Sequence, residues 1–135
     1  MKKIFALAAL LAVTMTAFTG CGGMSQEELD SNAQTLYDAA ATALVEMDAN
    51  AMKLPTGIID SDGKVGSNSD FTAIVYKHFS GLEDEKLEWV VYINENDKNG
   101  TYVEYACLAE SYDSKTVGKH GEKPSGETLN DIIGK

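Results

Sequence analysis

The sequence predicts an α+β fold, a long N-terminal helix packed on an antiparallel β-sheet, and three observations predict it. Between Ser25 and about Met52, apolar residues recur at helical spacing. From Leu87 the apolar period shortens to two, the signature of a strand with one face buried. A polar loop over residues 95–100 then separates that strand from a second run rich in Tyr, Val and Thr, so the two read as an antiparallel hairpin.

The helix opens on a capping signature. Ser25-Gln26-Glu27-Glu28 sets a glutamate three residues after a serine, where each side chain can satisfy a backbone N–H at the start of the helix. Leu29, Ala33, Leu36, Tyr37, Ala40, Leu44 and Met47 form the apolar stripe, and Glu28, Asp38, Glu46 and Asp48 fall elsewhere. Alanines at 33, 39, 40, 41 and 43 favour helix and let another element approach closely. Pro55 and Gly57 end the helix, and residues 57–65 read as a short hairpin or irregular loop around Asp62-Gly63. A second helix follows, capped by Ser69 or Asp70, with Phe71, Ile74, Val75, His78 and Phe79 on one face. Gly81 suits the left-handed position beyond its end. In the first strand Leu87, Trp89, Val91 and Ile93 alternate with Glu88, Val90, Tyr92 and Asn94, and the second runs from Thr101 to Ala109. A third short strand is expected near Lys115 to Lys119, and one helical turn around Leu129 to Ile133. No repeat or linker divides residues 25–135, which read as a single α+β domain.

Ahead of this domain stands an address. Met1-Lys2-Lys3 is followed by an uncharged apolar run from Ile4 to Phe18 and then by Thr19-Gly20-Cys21-Gly22-Gly23, the three-part build of a secretory signal. The run is shorter than the roughly 20 apolar residues a spanning helix needs. Phe18-Thr19-Gly20-Cys21 resembles the lipobox of bacterial lipoproteins, with Phe18 where leucine is more usual. The resemblance implies residues 1–20 as signal peptide, Cys21 as the site of lipid attachment and residues 21–24 as a lipidated tether. The protein would then be anchored in the cell membrane by its lipid, facing outside the cytoplasm. Two or more acyl chains give stable anchoring, since each buried methylene contributes about 0.8 kcal/mol and one chain alone is marginal.

Charge and cysteine content narrow the function classes. Removing residues 1–20 takes away Lys2 and Lys3 but none of the 21 acids, so the mature chain is still more acidic than the formal −10 of the whole. Nucleic-acid partners, which need clustered Lys and Arg, are excluded on that ground. With Cys21 committed to lipid, Cys107 has no partner within the chain. Its neighbours Tyr105, Ala106, Leu108 and Ala109 suit a buried cysteine acting as a small hydrophobe. His78, on or beside an apolar helix face, reads as packed or half-exposed.

Catalytic and metal motifs fail one by one. Against the twelve-residue EF-hand template, Gly100 at position six places Glu95, Asp97 and Asn99 suitably, but Ala106 falls where the bidentate glutamate belongs. Gly63 at position six places Ile58 first. Cys107, His78 and His120 lack the short spacings of a zinc site, and no nucleophile elbow, phosphate loop or dinucleotide fingerprint is present. The expectation is a non-enzymatic protein without metal or cofactor.

The order of elements, with the phrases Ser31 to Ala40, Trp89 to Ala109 and Lys115 to His120, is similar to the globular domains of type IV pilin-like proteins. That resemblance implies a pilin-like head. The family's long apolar helix segment with its early glutamate is absent, and Cys21-Gly22-Gly23 stands in its place. Together these readings give a surface lipoprotein with a non-catalytic binding or envelope-structural role, partnered by the membrane and by a protein of the envelope. The alternative is a small hydrolase or ligand carrier with a site between helix and sheet, a reading that a deep pocket lined by His78 or Cys107 and an acid would favour.

Overall fold

The computed structural model describes residues 24–98, 100–122 and 124–134. Its first element, α1 (Gln26–Ala49), starts where the capping box dictates. Ser25 Oγ accepts the Glu28 N–H and the Glu28 carboxylate accepts the Ser25 N–H, both at 3.2 Å. Leu29, Ala33, Leu36, Ala40, Leu44 and Met47 are buried as the stripe requires, with Tyr37 half-buried at its margin. The helix stops short of Met52 because Asn50 turns its N–H back onto the Glu46 and Met47 carbonyls and Ala51 takes a φ of 57°.

Four strands form one antiparallel meander in sequence order: β1 (Gly57–Asp60), β2 (Glu88–Asn96), β3 (Gly100–Ala109) and β4 (Gly118–Gly121). Of the short hairpin or irregular loop expected over residues 57–65, the hairpin does not form, since Gly57–Asp60 pairs with β2, and the irregular loop follows it. The chain beyond Asp60 folds into a loop that returns the Gly66 carbonyl to the Asp60 N–H at 3.1 Å, covering part of an edge strand that would otherwise be open. β4 begins three residues later than the expected start at Lys115. Ser114 and Thr116 form a local side-chain-to-backbone turn first, and such serine turns compete with strand pairing.

Three further helices lie among the described residues. α2 (Ser69–His78) is capped by Asn68, whose Oδ1 accepts the Phe71 N–H at 2.9 Å, not by Ser69 or Asp70. Gly81 does not end it. It lies buried inside a second short helix, α3 (Ser80–Asp84), and the left-handed φ of 54° falls on Lys86. α4 (Leu129–Ile133) is the expected single turn, held by a second capping box between Thr128 and Asp131.

The sheet is covered on both faces. Trp89, Val91, Ile93, Val103, Ala106 and Leu108 pack under α1, α2 and α3, meeting Leu29, Leu36, Leu44, Phe71 and Val75. The other face carries Val90, Tyr105, Cys107 and Ala109, and these are covered by Tyr112, Val117 and the α4 residues Leu129, Ile132 and Ile133. Each large apolar side chain so buried contributes about 1.5–3 kcal/mol, so the two clusters are the main source of stability. Trp89 also donates its indole N–H to the Tyr76 hydroxyl at 3.2 Å, tying α2 to the sheet. Gly118 brings two backbones together: a Cβ there would lie 2.0 Å from the Leu29 carbonyl oxygen, so α1 can dock on β4 only where a side chain is missing. No helix among the described residues is long and apolar enough to cross a membrane.

Candidate functional site

The residues singled out in the sequence do not converge. Cys21 lies outside the described residues. Cys107 is fully buried in β3, and burial pushes its thiol up to about 12, with Lys119 pulling weakly the other way. Held protonated by burial, the thiol packs against the sheet as a small apolar group does. His78 ends α2 half-exposed, and its Nε2 meets the Glu46 carboxylate of α1, which also accepts Lys77 Nζ at 2.7 Å. The Lys77 hydrogen bond first, and His78 second, hold the Glu46 carboxyl below the ordinary range. The trio fastens α1 to α2 at the surface, away from Cys107.

A second polar cluster is buried. Asp60, only 2% exposed, accepts the N–H groups of Lys64, Val65 and Gly66 at 2.7, 2.8 and 3.3 Å and the Tyr112 hydroxyl at 2.8 Å. Burial opposes its ionisation, and the four donors outweigh that cost, so its carboxyl lies below the usual range. Tyr112 also receives the Asp62 N–H at 3.2 Å and lies beneath Lys64 Nζ, 3.8 Å from the ring centroid. Ser61 links the group to Glu88 at 2.8 Å and to the Trp89 N–H at 3.0 Å. The arrangement fixes the loop after β1 onto the sheet, and its carboxylate is fully occupied by structural donors.

The arrangement best suited to meeting a ligand lies where β3 breaks its own alternation. Tyr92 pairs with Tyr105 and Ile93 with Val103, so Glu104 is the extra residue of a β-bulge. Bulges bend a strand and re-aim a side chain. Here the carbonyl of Glu104 accepts the Glu122 N–H at 2.9 Å. Gly121, with φ of 96°, passes so close that a Cβ would sit 2.4 Å from that carbonyl oxygen and 3.0 Å from the Tyr37 ring. The outcome is a groove of about 640 Å³ lined by Tyr37 of α1, Tyr102, Val103 and Glu104 of β3, and Gly121 and Glu122. Asn94 Nδ2 at 2.9 Å and the Tyr102 hydroxyl at 3.4 Å both donate to Glu104 Oε1, which holds the carboxylate in place. His120 packs edge-on against Tyr37, centroids 4.9 Å apart. Burial, then Asp38 and Tyr102, raises the Tyr37 phenol, so it stays protonated. Burial likewise raises Asp38, against the pull of His120.

Two other open grooves, one lined by Gln26, Asp30, Lys115 and Lys119 and one beside Pro55 and Asn68, include neither His78 nor Cys107. Among the described residues no three His, Cys, Asp or Glu side chains gather as metal ligands would. Tyr102, Glu104 and Glu122 were not singled out from the sequence. The one signal for them is the slip in β3, where Val103 and Ala106 both face the helices although three residues apart.

No protein family, curated protein or solved structure matches the chain. The α+β architecture therefore stands on the coordinates, and no solved structure bears on the pilin-like resemblance drawn from the sequence.

Proposed function

We propose that the chain is a lipoprotein tethered to the cell membrane through Cys21, with a domain that serves a non-catalytic binding role in the envelope, of pilin-like layout. The observation that carries this reading is the run from Lys2 to Cys21, a basic start, an apolar stretch and a lipobox-like Phe18-Thr19-Gly20-Cys21. Two structural facts support it. Only Gly22, Gly23, Met24 and Ser25 stand between Cys21 and α1, so the folded domain would begin almost at the lipid. Cys107, the only other cysteine, is buried in the sheet and so poorly placed to take Cys21 as a disulfide partner. The non-catalytic part is supported by the buried thiol of Cys107, by His78 being occupied with Glu46, and by the openness of the described grooves.

The tether also implies an orientation. The Met24 N–H donates to Glu110 at 3.1 Å, just past the end of β3. Glu104 lies six residues earlier on that strand, so the bulge groove sits about 20 Å from the tether at 3.3 Å per residue. Feeding cells a clickable fatty acid tests the reading: the wild-type chain takes up label and sediments with membranes, and Cys21→Ala does neither. Label that persists in Cys21→Ala would refute it.

A further inference from the structure

We propose that the groove at the β3 bulge binds an alkylammonium group, seated between the Tyr37 and Tyr102 rings and the Glu104 and Glu122 carboxylates. The proposal deepens the binding role stated above and rests on it.

The lining decides the class of ligand. Two tyrosine rings and two carboxylates border one groove, and no basic side chain is among the described lining residues. An anion would face the two carboxylates of the lining. A hard metal ion takes six or more oxygens in a tight shell, and here carboxylates share the wall with aromatic rings, and no three acids gather among the described residues. An organic cation uses both kinds of wall at once, its charge attracted by the ring faces and by the carboxylates. The Tyr37 phenol is held neutral, since burial raises it away from ionisation.

The groove is also built, not incidental. Glu104 is the bulge residue, its backbone carbonyl is pinned by Glu122, and its Oε1 is pinned by Asn94 and Tyr102. Those contacts engage one carboxylate oxygen, Oε1. Gly121 lets the end of β4 lie against the bulge at a distance that a Cβ would forbid. A site whose side chains are already oriented loses little entropy on binding. The strongly acidic chain further concentrates cations near its surface.

Alkylammonium groups come from free amines or from lysine side chains of a protein partner, and the test separates these sources. The full chain in detergent micelles is titrated calorimetrically with choline, putrescine and Nα-acetyl-lysine amide, and with 3,3-dimethylbutanol as the uncharged counterpart of choline. At least one ammonium probe binds, the neutral alcohol does not, and affinity falls about fivefold in Tyr102→Leu and in Glu104→Gln. Glu122→Gln, an exposed change that leaves the bulge intact, weakens binding as well. Stronger binding of the lysine amide assigns a protein partner, and stronger binding of putrescine or choline assigns a free amine. Silence from every ammonium probe, equal binding of the neutral alcohol, or unchanged affinity in all three variants would overturn the proposal. Fatty-acid labelling of Cys21 is read on the same preparation, so a chain that is labelled but binds no amine refutes the groove and leaves the tether standing.

Discussion

Replacing Asp60 by asparagine will lower stability by about 3 kcal/mol at neutral pH, and the figure follows from the donors around it. One carboxylate oxygen takes Lys64 N–H and the Tyr112 hydroxyl, and the other takes Val65 and Gly66 N–H. Asparagine keeps one acceptor oxygen and puts an NH2 where the other stood, so two of the donors must face a donor whichever way the amide turns. Hydrogen bonds to an ionised group contribute about 1.5–3 kcal/mol each, and a stranded buried donor costs about 1–3 kcal/mol. The sum is not additive, because the Tyr112 hydroxyl can turn toward Ser61 Oγ, 3.1 Å away. About 3 kcal/mol is a large share of the roughly 5–15 kcal/mol that holds such a domain together. Urea unfolding followed by Trp89 fluorescence reads it, since Trp89 is fully buried and hydrogen-bonded to Ser61. With a slope of about 1–2 kcal/mol per molar, the midpoint drops by roughly 1.5–3 M. Acid supplies the second readout. The folded carboxyl lies below its unfolded value of about 3.9, so its contribution is complete above that pH and is lost as pH falls through the folded value. The gap between the wild-type and Asp60→Asn chains must close over that window. A gap under about 1 kcal/mol at pH 7, or one that survives acidification, would refute the assignment of Asp60 as the fastener of its loop.

Two further outcomes follow from the packing. Gly118→Ala puts a methyl 2.0 Å from the Leu29 carbonyl oxygen and 2.9 Å from the Asp30 nitrogen, both backbone atoms that cannot swing aside. α1 has to lift from β4, and thermal melting by circular dichroism will show a loss of about 2–3 kcal/mol; a melt unchanged from wild type would mean that the two elements are not in contact. In a Cys21→Ala chain Cys107 is the sole thiol, and it will resist a disulfide reagent at pH 8 while the protein is folded and react fully in urea. Fast reaction of the folded chain would refute the burial of that thiol.

What was legible in the sequence is what local rules control. The start of α1 followed from Ser25 and Glu28, and the hairpin from alternation around Trp89, because a capping box and a period of two are each decided within a few residues. Where the sequence misled, a distant partner had decided the matter. Residues 57–60 look like half of a local hairpin, but β2 offers them Val91 and Tyr92 as a longer-range partner, and Asp60 closes the loop that a turn would have closed. Gly81 has the character of a helix end, yet it lies buried inside α3.

The groove was illegible for a related reason. Its residues come from α1, β3 and the end of β4, and only the bulge at Glu104 and the close pass of Gly121 bring them to one place. Neither event is written in a motif. A bulge is visible in sequence only as a slip in alternation, and a close pass only as one glycine among twelve. The same construction explains why the site can be specific without being deep. A shallow groove contributes little through burial, so recognition has to come from charge and ring faces held at fixed positions, and the hydrogen bonds on Glu104 supply that fixity.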